Sequence, residues 1–389
     1  MKQPVTSALT HLSCSRCDQT YDCAQIWRFC ACGGPLYPRY DLSQLSWTAE
    51  ELAGRPGGLW RYADLLPVHG PEHRLCLGEG GTPMLHLARL GPHLGLDDLL
   101  AKDEGLNPTG SFKARGLCMA VSKARELGIS TLSIPTAGNA GSALAAYCAR
   151  GGMRAVVYVP TETPPEFLTE YRDFGAAVTV VEGTISDAAA QMAADADDDW
   201  FPVSTLQEPY RLEGKKTMGL ELAEQLGWNL PDVILYPTGG GTGLLGMWKA
   251  FEELEIMGLI DSRRPRMIAV QADGCAPIVR AFDAGAATAA PWENASTVAN
   301  GLRVPRAFAD QEILQVLRDS NGTAIMVDDN AMLEMVARLA AVEGIYAAPE
   351  AAATLVAAKR LVDDRVIYRD ERVMTFLTGN AYKYLSSLS

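Results

Sequence analysis

No apolar run in the chain is long enough to span a bilayer, so nothing in it reads as a helical membrane anchor. Lysine and arginine never cluster into a block, and the formal net charge is -13. Nucleic acid and anionic membrane surfaces are therefore poor partners. A small anionic ligand stays compatible, because local groups outweigh net charge at short range. There is no internal repeat and no low-complexity tract. Met1 to Leu12 holds one lysine and no apolar core of signal-peptide length, which makes the cytoplasm the expected compartment. The nine cysteines are odd in number, and Cys118 and Cys148 sit inside apolar helical stretches. That argues against an oxidised secreted scaffold.

What is present is ordinary globular material. The chain has 389 residues, 48% hydrophobic and 21% charged, a size that predicts two domains. From Thr131 onward short apolar runs alternate with helix-compatible stretches, the pattern of a parallel α/β fold. Strands are expected at 131–134, 154–159, 177–181, 232–236, 266–271 and 373–377. Helices are expected at 114–127, 141–150, 164–174, 244–254, 331–342 and 350–361. Asp195 to Asp199 reads as a solvated acidic turn.

The first forty residues differ from the rest. Cys14-Ser-Arg-Cys17 and Cys30-Ala-Cys32-Gly33-Gly34 form two close pairs separated by a short loop. Such pairs predict a small zinc ribbon with four thiolates around a tetrahedral ion. The second pair is spaced by one residue instead of two, and Cys23 is a substitute ligand. The alternative is a ribbon without metal, or reduced surface thiols.

Four further segments carry chemistry. Lys113 ends the run Asn107-Pro108-Thr109-Gly110-Ser111-Phe112-Lys113 and opens a helical stretch. A lysine amine in a protected site loses its proton near neutral pH and forms a Schiff base with an aldehyde cofactor. Thr238-Gly239-Gly240-Gly241-Thr242-Gly243 follows an apolar strand and opens a helix. Its glycines let amides approach a phosphate, and the helix end adds partial positive charge. No Lys-Ser or Lys-Thr closes this loop, so the Walker pattern is missing, and the spacing is not the dinucleotide fingerprint. Pro135-Thr136-Ala137-Gly138-Asn139-Ala140-Gly141 also joins strand to helix and carries an amide that both donates and accepts. Thr378, in Leu377-Thr378-Gly379, sits at the carboxyl end of the last strand, where ligands bind in open α/β sheets. Each of the last three segments alone is also compatible with a plain turn or helix cap. Together the four supply a lysine, a phosphate cradle and partners for a ring hydroxyl and a ring nitrogen. Pyridoxal phosphate needs all four.

In order and sequence these motifs resemble the tryptophan-synthase-like, or fold-type II, family of pyridoxal-phosphate enzymes. The resemblance runs from Leu59-Trp60-Arg61-Tyr62 to Gly379. It includes Gly78-Glu79-Gly80-Gly81-Thr82-Pro83, Lys102 to Lys113, Glu213-Gly214-Lys215-Lys216-Thr217, and Glu343-Gly344 with Ala348-Pro349-Glu350. Within that family the chain is similar to the threonine synthases, and Cys32-Gly33-Gly34-Pro35-Leu36 is shared with many of them. The resemblance implies two open α/β domains with the cofactor in the cleft between them, plus the cysteine-rich ribbon. The expected bounds are 1–45 for the ribbon, 46–109 and 216–389 for the large domain, and 110–215 for the smaller one. A homodimer is the family expectation.

By the same resemblance Lys113 would carry the Schiff base and Asn139 would bond the ring 3'-hydroxyl. Gly239, Gly240, Gly241, Thr242 and Gly243 would hold the cofactor phosphate. Thr378 would face the ring nitrogen without forcing its protonation, which suits eliminations and replacements at the β and γ carbons. The substrate would be a small amino acid, O-phosphohomoserine, converted with water to threonine and phosphate. Thr82, Lys102 and Ser111 would meet its phosphate, and Thr136, Ala137, Gly138 and Ala140 its carboxylate. Three segments depart from the family pattern. Ala114-Arg115-Gly116 replaces Asp-Arg-Gly, the phosphate loop lacks asparagine, and Asn380-Ala381-Tyr382-Lys383 replaces His-Gly-Leu-Lys. A serine/threonine dehydratase, a β-replacement enzyme such as cysteate synthase, and a catalytically silent cofactor-binding sensor are the rival readings.

Overall fold

The structure is a computed structural model that describes residues 6–388. The first five residues of the Met1–Leu12 segment lie outside the described residues. Three short strands come first, β1 (Leu9–Cys14), β2 (Thr20–Tyr21) and β3 (Leu36–Tyr40). β1 pairs antiparallel with both, Leu12 lying opposite Tyr21 on one side and Pro38 on the other. Then come α1 (Ala49–Ala53), β4 (Met84–His86), α2 (Leu90–Leu94) and β5 (Asp98–Asp103). The lysine run leads into α3 (Lys113–Glu126). Strand and helix then alternate through β6 (Thr131–Pro135), α4 (Asn139–Gly151), β7 (Arg154–Pro160) and α5 (Pro165–Asp173). β8 (Ala177–Val181), α6 (Ile185–Ala194), β9 (Trp200–Pro202) and α7 (Tyr210–Gln225) follow. β10 (Val233–Pro237), α8 (Thr242–Ile256), β11 (Arg266–Ala272), α9 (Pro277–Asp283) and α10 (Asp310–Asp319) come next. Then come β12 (Thr323–Val327), α11 (Asp329–Glu343), α12 (Pro349–Asp363) and β13 (Arg372–Leu377), with a short helix, α13 (Leu385–Leu388), last among the described residues.

The chain divides into two compact units. The first holds Met1–Gly81, Asn107–Thr109 and Lys113–Met218. Its parallel sheet has the order β8-β7-β6-β9. β6 and β7 are buried almost end to end, which is why both read as continuous apolar runs. β8 lies at the edge and exposes Val180. One core joins Leu117 and Val121 of α3, Leu144 and Tyr147 of α4, and Val157 of β7. Leu12 and Leu36 of the cysteine-bearing sheet belong to this same core.

The second unit holds Thr82–Leu106, Gly110–Phe112 and Gly219–Ser389. Its six-stranded sheet has the order β12-β11-β10-β13-β5-β4, parallel except for β4. Leu90, Val233, Leu235, Leu339, Leu355 and Val373 are among its buried core residues. Removing such a side chain from water contributes about 1.5–3 kcal/mol. β10 and β13 are neighbours in the sheet but far apart in the chain, with Leu235 level with Thr375. Their carboxyl ends therefore meet at the point where the sheet stops following chain order, the usual ligand position in open α/β sheets.

Candidate active site

In the second unit, the loop after β10 is built around an obligatory absence of side chains. A Cβ on Gly239 would strike the Gly301 carbonyl and lie 2.9 Å from Val304 Cγ2. Gly241 has φ +77° and Gly243 packs on the Tyr236 hydroxyl. Thr238 anchors the loop, its N–H donating to Val270 O at 2.8 Å and its O accepting from Gln271 Nε2 at 2.9 Å. Among the described residues no protein acceptor meets the amides of Gly239 to Leu244. A buried helix end needs such groups satisfied, and an anion does this with the helix dipole in its favour.

The same carboxyl edge carries Thr378. It is 5% exposed, and its hydroxyl has no protein partner among the described residues. Its carbonyl accepts from the Phe112 amide at 2.9 Å, Ser111 bridges Gly379, and the Asn380 amide donates to Gly110 O at 3.0 Å. Gly110 to Phe112 thus run antiparallel to 378–380, and Lys113 is the next residue along. Phe112 is held edge-on to Tyr236, with ring centroids 6.1 Å apart. In the run itself Thr109 and Gly110 both take left-handed conformations, at φ 58° and 68°. These turn the chain sharply before α3 begins at Lys113.

In the first unit, α4 starts at Asn139. The preceding loop is braced from below by α5. Tyr171 donates to Gly138 O at 2.6 Å, and Gly141 leaves room for the Tyr171 ring and the Thr136 methyl. Burial pushes the Tyr171 phenol up, which keeps it a donor. Thr136 is buried, whereas Ala137, Gly138, Asn139 and Ala140 are partly exposed at the helix N-terminus. A carboxylate is favoured at such an end.

Lys102 and Thr82 have a setting that differs from the expected phosphate contact. Lys102 is fully buried, and its ammonium donates to Thr82 O at 2.9 Å, Glu221 Oε1 at 2.7 Å and Gln225 Oε1 at 2.8 Å. An ammonium has three protons, and these three bonds use them. The Thr82 hydroxyl lies 2.8 Å from Glu104 Oε1 and 3.2 Å from Glu221 Oε1. Two carboxylates beside that hydroxyl disfavour a substrate phosphate there.

Cys14, Cys17, Cys30 and Cys32 come together, all four sulfurs lying within 4.8 Å of one another. Cys14 and Cys32 are 3.5 Å apart, as are Cys17 and Cys30. Sulfurs at about 2.3 Å from one tetrahedral ion would lie about 3.8 Å apart, so the donor set fits zinc. The one-residue spacing is absorbed by a tight turn, with Gly33 N–H on Cys30 O at 2.8 Å and Gly33 at φ +84°. Cys23 stands outside the cluster and contacts Thr10 O.

Two features escaped the sequence reading. The loop around Gly301 packs on the glycine loop and is held by Glu350, which accepts from Gly301 N at 2.7 Å and from Tyr384 Oη at 2.9 Å. The other is Glu79, fully buried in a segment that reads as a plain glycine turn. A carboxyl residue between glycines was the available signal.

Open amides and a free hydroxyl at the carboxyl edge of a parallel sheet define an α/β protein that takes a phosphate-bearing ligand. The chain belongs to the pyridoxal-phosphate dependent enzymes, whose family model matches residues 75–379. It is 36% identical to the threonine synthase of Methanocaldococcus jannaschii over 373 residues, 95% of this chain and 92% of that protein. It is 37% identical to the threonine synthase of Methanosarcina acetivorans, over 96% of this chain and 92% of that one. The crystal structure of a fungal L-serine ammonia-lyase from Rhizomucor miehei shares the fold. That match has TM-score 0.68 and 22% identity, covering 79% of this chain and 96% of that one.

Proposed function

We propose that the protein is a threonine synthase, converting O-phospho-L-homoserine and water to L-threonine and phosphate. The identity to two threonine synthases over nearly the whole chain carries the choice of reaction. The open amides of residues 239–244 support the cofactor. When bound, pyridoxal phosphate supplies an electron sink for charge that develops on the substrate.

The chain's own residues divide the work. Lys113 Nζ holds the cofactor and moves a proton at the substrate α carbon. The amides of Gly239 to Gly243, with the Thr242 hydroxyl, hold the cofactor phosphate. The Asn139 side chain bonds the ring hydroxyl, and the Thr378 hydroxyl the ring nitrogen. Residues Thr136 to Ala140 hold the substrate carboxylate at the positive end of α4. Ser111 donates to the departing phosphate. A second proton leaves the β carbon and phosphate leaves the γ carbon. A proton is then delivered to the γ carbon to complete the methyl group, and water supplies the hydroxyl at the β carbon and the proton that returns to the α carbon. In this reading the enzyme is a cytoplasmic homodimer, with a structural zinc on Cys14, Cys17, Cys30 and Cys32. No helix among the described residues is long and apolar enough to cross a membrane.

A substrate panel tests the reaction. Phosphate release with threonine formation from O-phosphohomoserine is expected, and Lys113→Ala should abolish both turnover and the long-wave absorption of bound cofactor. Ammonia release from serine or threonine, with no phosphate released, would make the protein a dehydratase.

A further inference from the structure

We propose that Glu79 is a positioning residue that locks together the two helices whose first residues are Lys113 and Asn139. The assignment of a role to those two residues rests on the function proposed above. The locking itself rests on geometry alone.

Glu79 is fully buried, in the turn between Leu77 and Gly81. Three donors converge on its carboxyl group. Tyr147 Oη lies 2.5 Å from Oε2, the Leu77 amide 2.9 Å from Oε2, and Cys118 Sγ 3.2 Å from Oε1, the single thiol proton being shared with Leu75 O, also 3.2 Å away. Cys118 belongs to α3 and Tyr147 to α4. Burial raises both the Cys118 thiol and the Tyr147 phenol, with Glu79 adding to each, so both keep the proton they donate. One side chain therefore binds its own loop, α3 and α4.

The placement along the helices matters. Cys118 lies about 7.5 Å up the axis from Lys113, and Tyr147 about 12 Å up from Asn139, at 1.5 Å per residue. A stiff helix carries a displacement at either contact to its first turn. The backbone around Glu79 adds two further ties. Its carbonyl accepts from the Leu59 amide at 2.9 Å, and the next amide, Gly80, donates to Asn107 Oδ1 at 3.0 Å. Asn107 opens the lysine run. The turn thus grips α3 at its side and the approach to Lys113 as well.

Packing alone would not select this residue. A buried carboxyl group is unfavourable unless donors surround it, and a glutamine of equal size would turn its NH2 toward at least one donor. The arrangement serves orientation, where three directional bonds outperform apolar contact.

The test uses the full-length holoenzyme and Glu79→Gln. The expected result is a kcat lower by about 10- to 100-fold with KM within about threefold, the split for a mispositioned base. Amide hydrogen exchange in the first turns of α3 and α4 should speed by about tenfold, a readout independent of any cofactor. Tyr147→Phe, which removes one hydroxyl and keeps the ring, should lower kcat by about 3- to 10-fold. The double variant should be no worse than Glu79→Gln alone, within about twofold. Unchanged kcat and unchanged exchange in Glu79→Gln would overturn the proposal. So would a rise in KM alone. If Glu79→Gln does not fold, Tyr147→Phe decides, and wild-type kcat and exchange in that variant overturn it. Failure of Lys113→Ala to remove the cofactor band would sink the cofactor assignment and leave the exchange result to stand or fall separately.

Discussion

Gly239→Ala probes the phosphate cradle at the atom where the structure leaves no room. The added methyl would meet the Gly301 carbonyl, a backbone atom, and Val304 Cγ2 at 2.9 Å. The carbonyl is not free to move, because the Gly301 amide is bonded to Glu350 Oε1 at 2.7 Å. The glycine loop must give way. Overpacking of this kind costs about 1–3 kcal/mol. If the displacement falls on the loop whose amides meet the phosphate, the same energy appears as a cofactor affinity lower by about 5- to 150-fold. The assay titrates apo-protein with pyridoxal phosphate and follows the long-wave absorption of the Lys113-bound form. Saturating cofactor should restore most activity, since Lys113 is untouched. Gly57→Ala is the control, because nothing lies within 4 Å of a Cβ there. Affinity within twofold of wild type in Gly239→Ala would refute the cradle assignment.

Purified protein should hold about one zinc per chain, and Cys32→Ser should remove it while Cys23→Ser leaves it in place. Metal analysis decides, and equal loss in both variants would contradict the four-sulfur set. Burial pushes the Glu208 carboxyl up to about 7, against 4.5 as its ordinary value. The folded state then binds the extra proton, so this group lowers stability as pH rises from 4.5 toward 7, by about 3 kcal/mol in all. Urea unfolding at pH 5 and pH 8 should show that fall in wild type and a flatter profile in Glu208→Gln. Identical profiles would exclude Glu208 as the source.

Much of the α/β framework was legible because buried parallel strands leave continuous apolar runs. Strict apolar–polar alternation was not needed: 131–135, 154–160, 177–181, 233–237, 266–272 and 372–377 all stand within a residue of their sequence reading. The stretches at 277–283 and 310–327 were not read, because elements of ten residues or fewer repeat their apolar period only a few times. The glycine loop was legible for a local reason. Close approach of backbone to backbone demands glycine, and the demand is written at the position itself.

The side chains whose roles depend on distant partners were not legible. Lys102 carries the same letter as a phosphate-binding lysine. Its acceptors Glu221 and Gln225 lie 119 and 123 positions away, and only the folded chain brings them to it. Glu79 meets Cys118 and Tyr147 across 39 and 68 positions. The cysteine pairs stand between these cases, since their spacing announces a ligand set but only the fold decides between Cys23 and Cys32. Composition and local motif thus determined the fold class and the family with its cofactor, and they pointed to Lys113 as the residue proposed to hold it, because backbone conformation and burial pattern are short-range properties. Which charges are spent inside the protein and which remain for a ligand was decided by tertiary structure, because a hydrogen bond exists only once its two partners have been folded together.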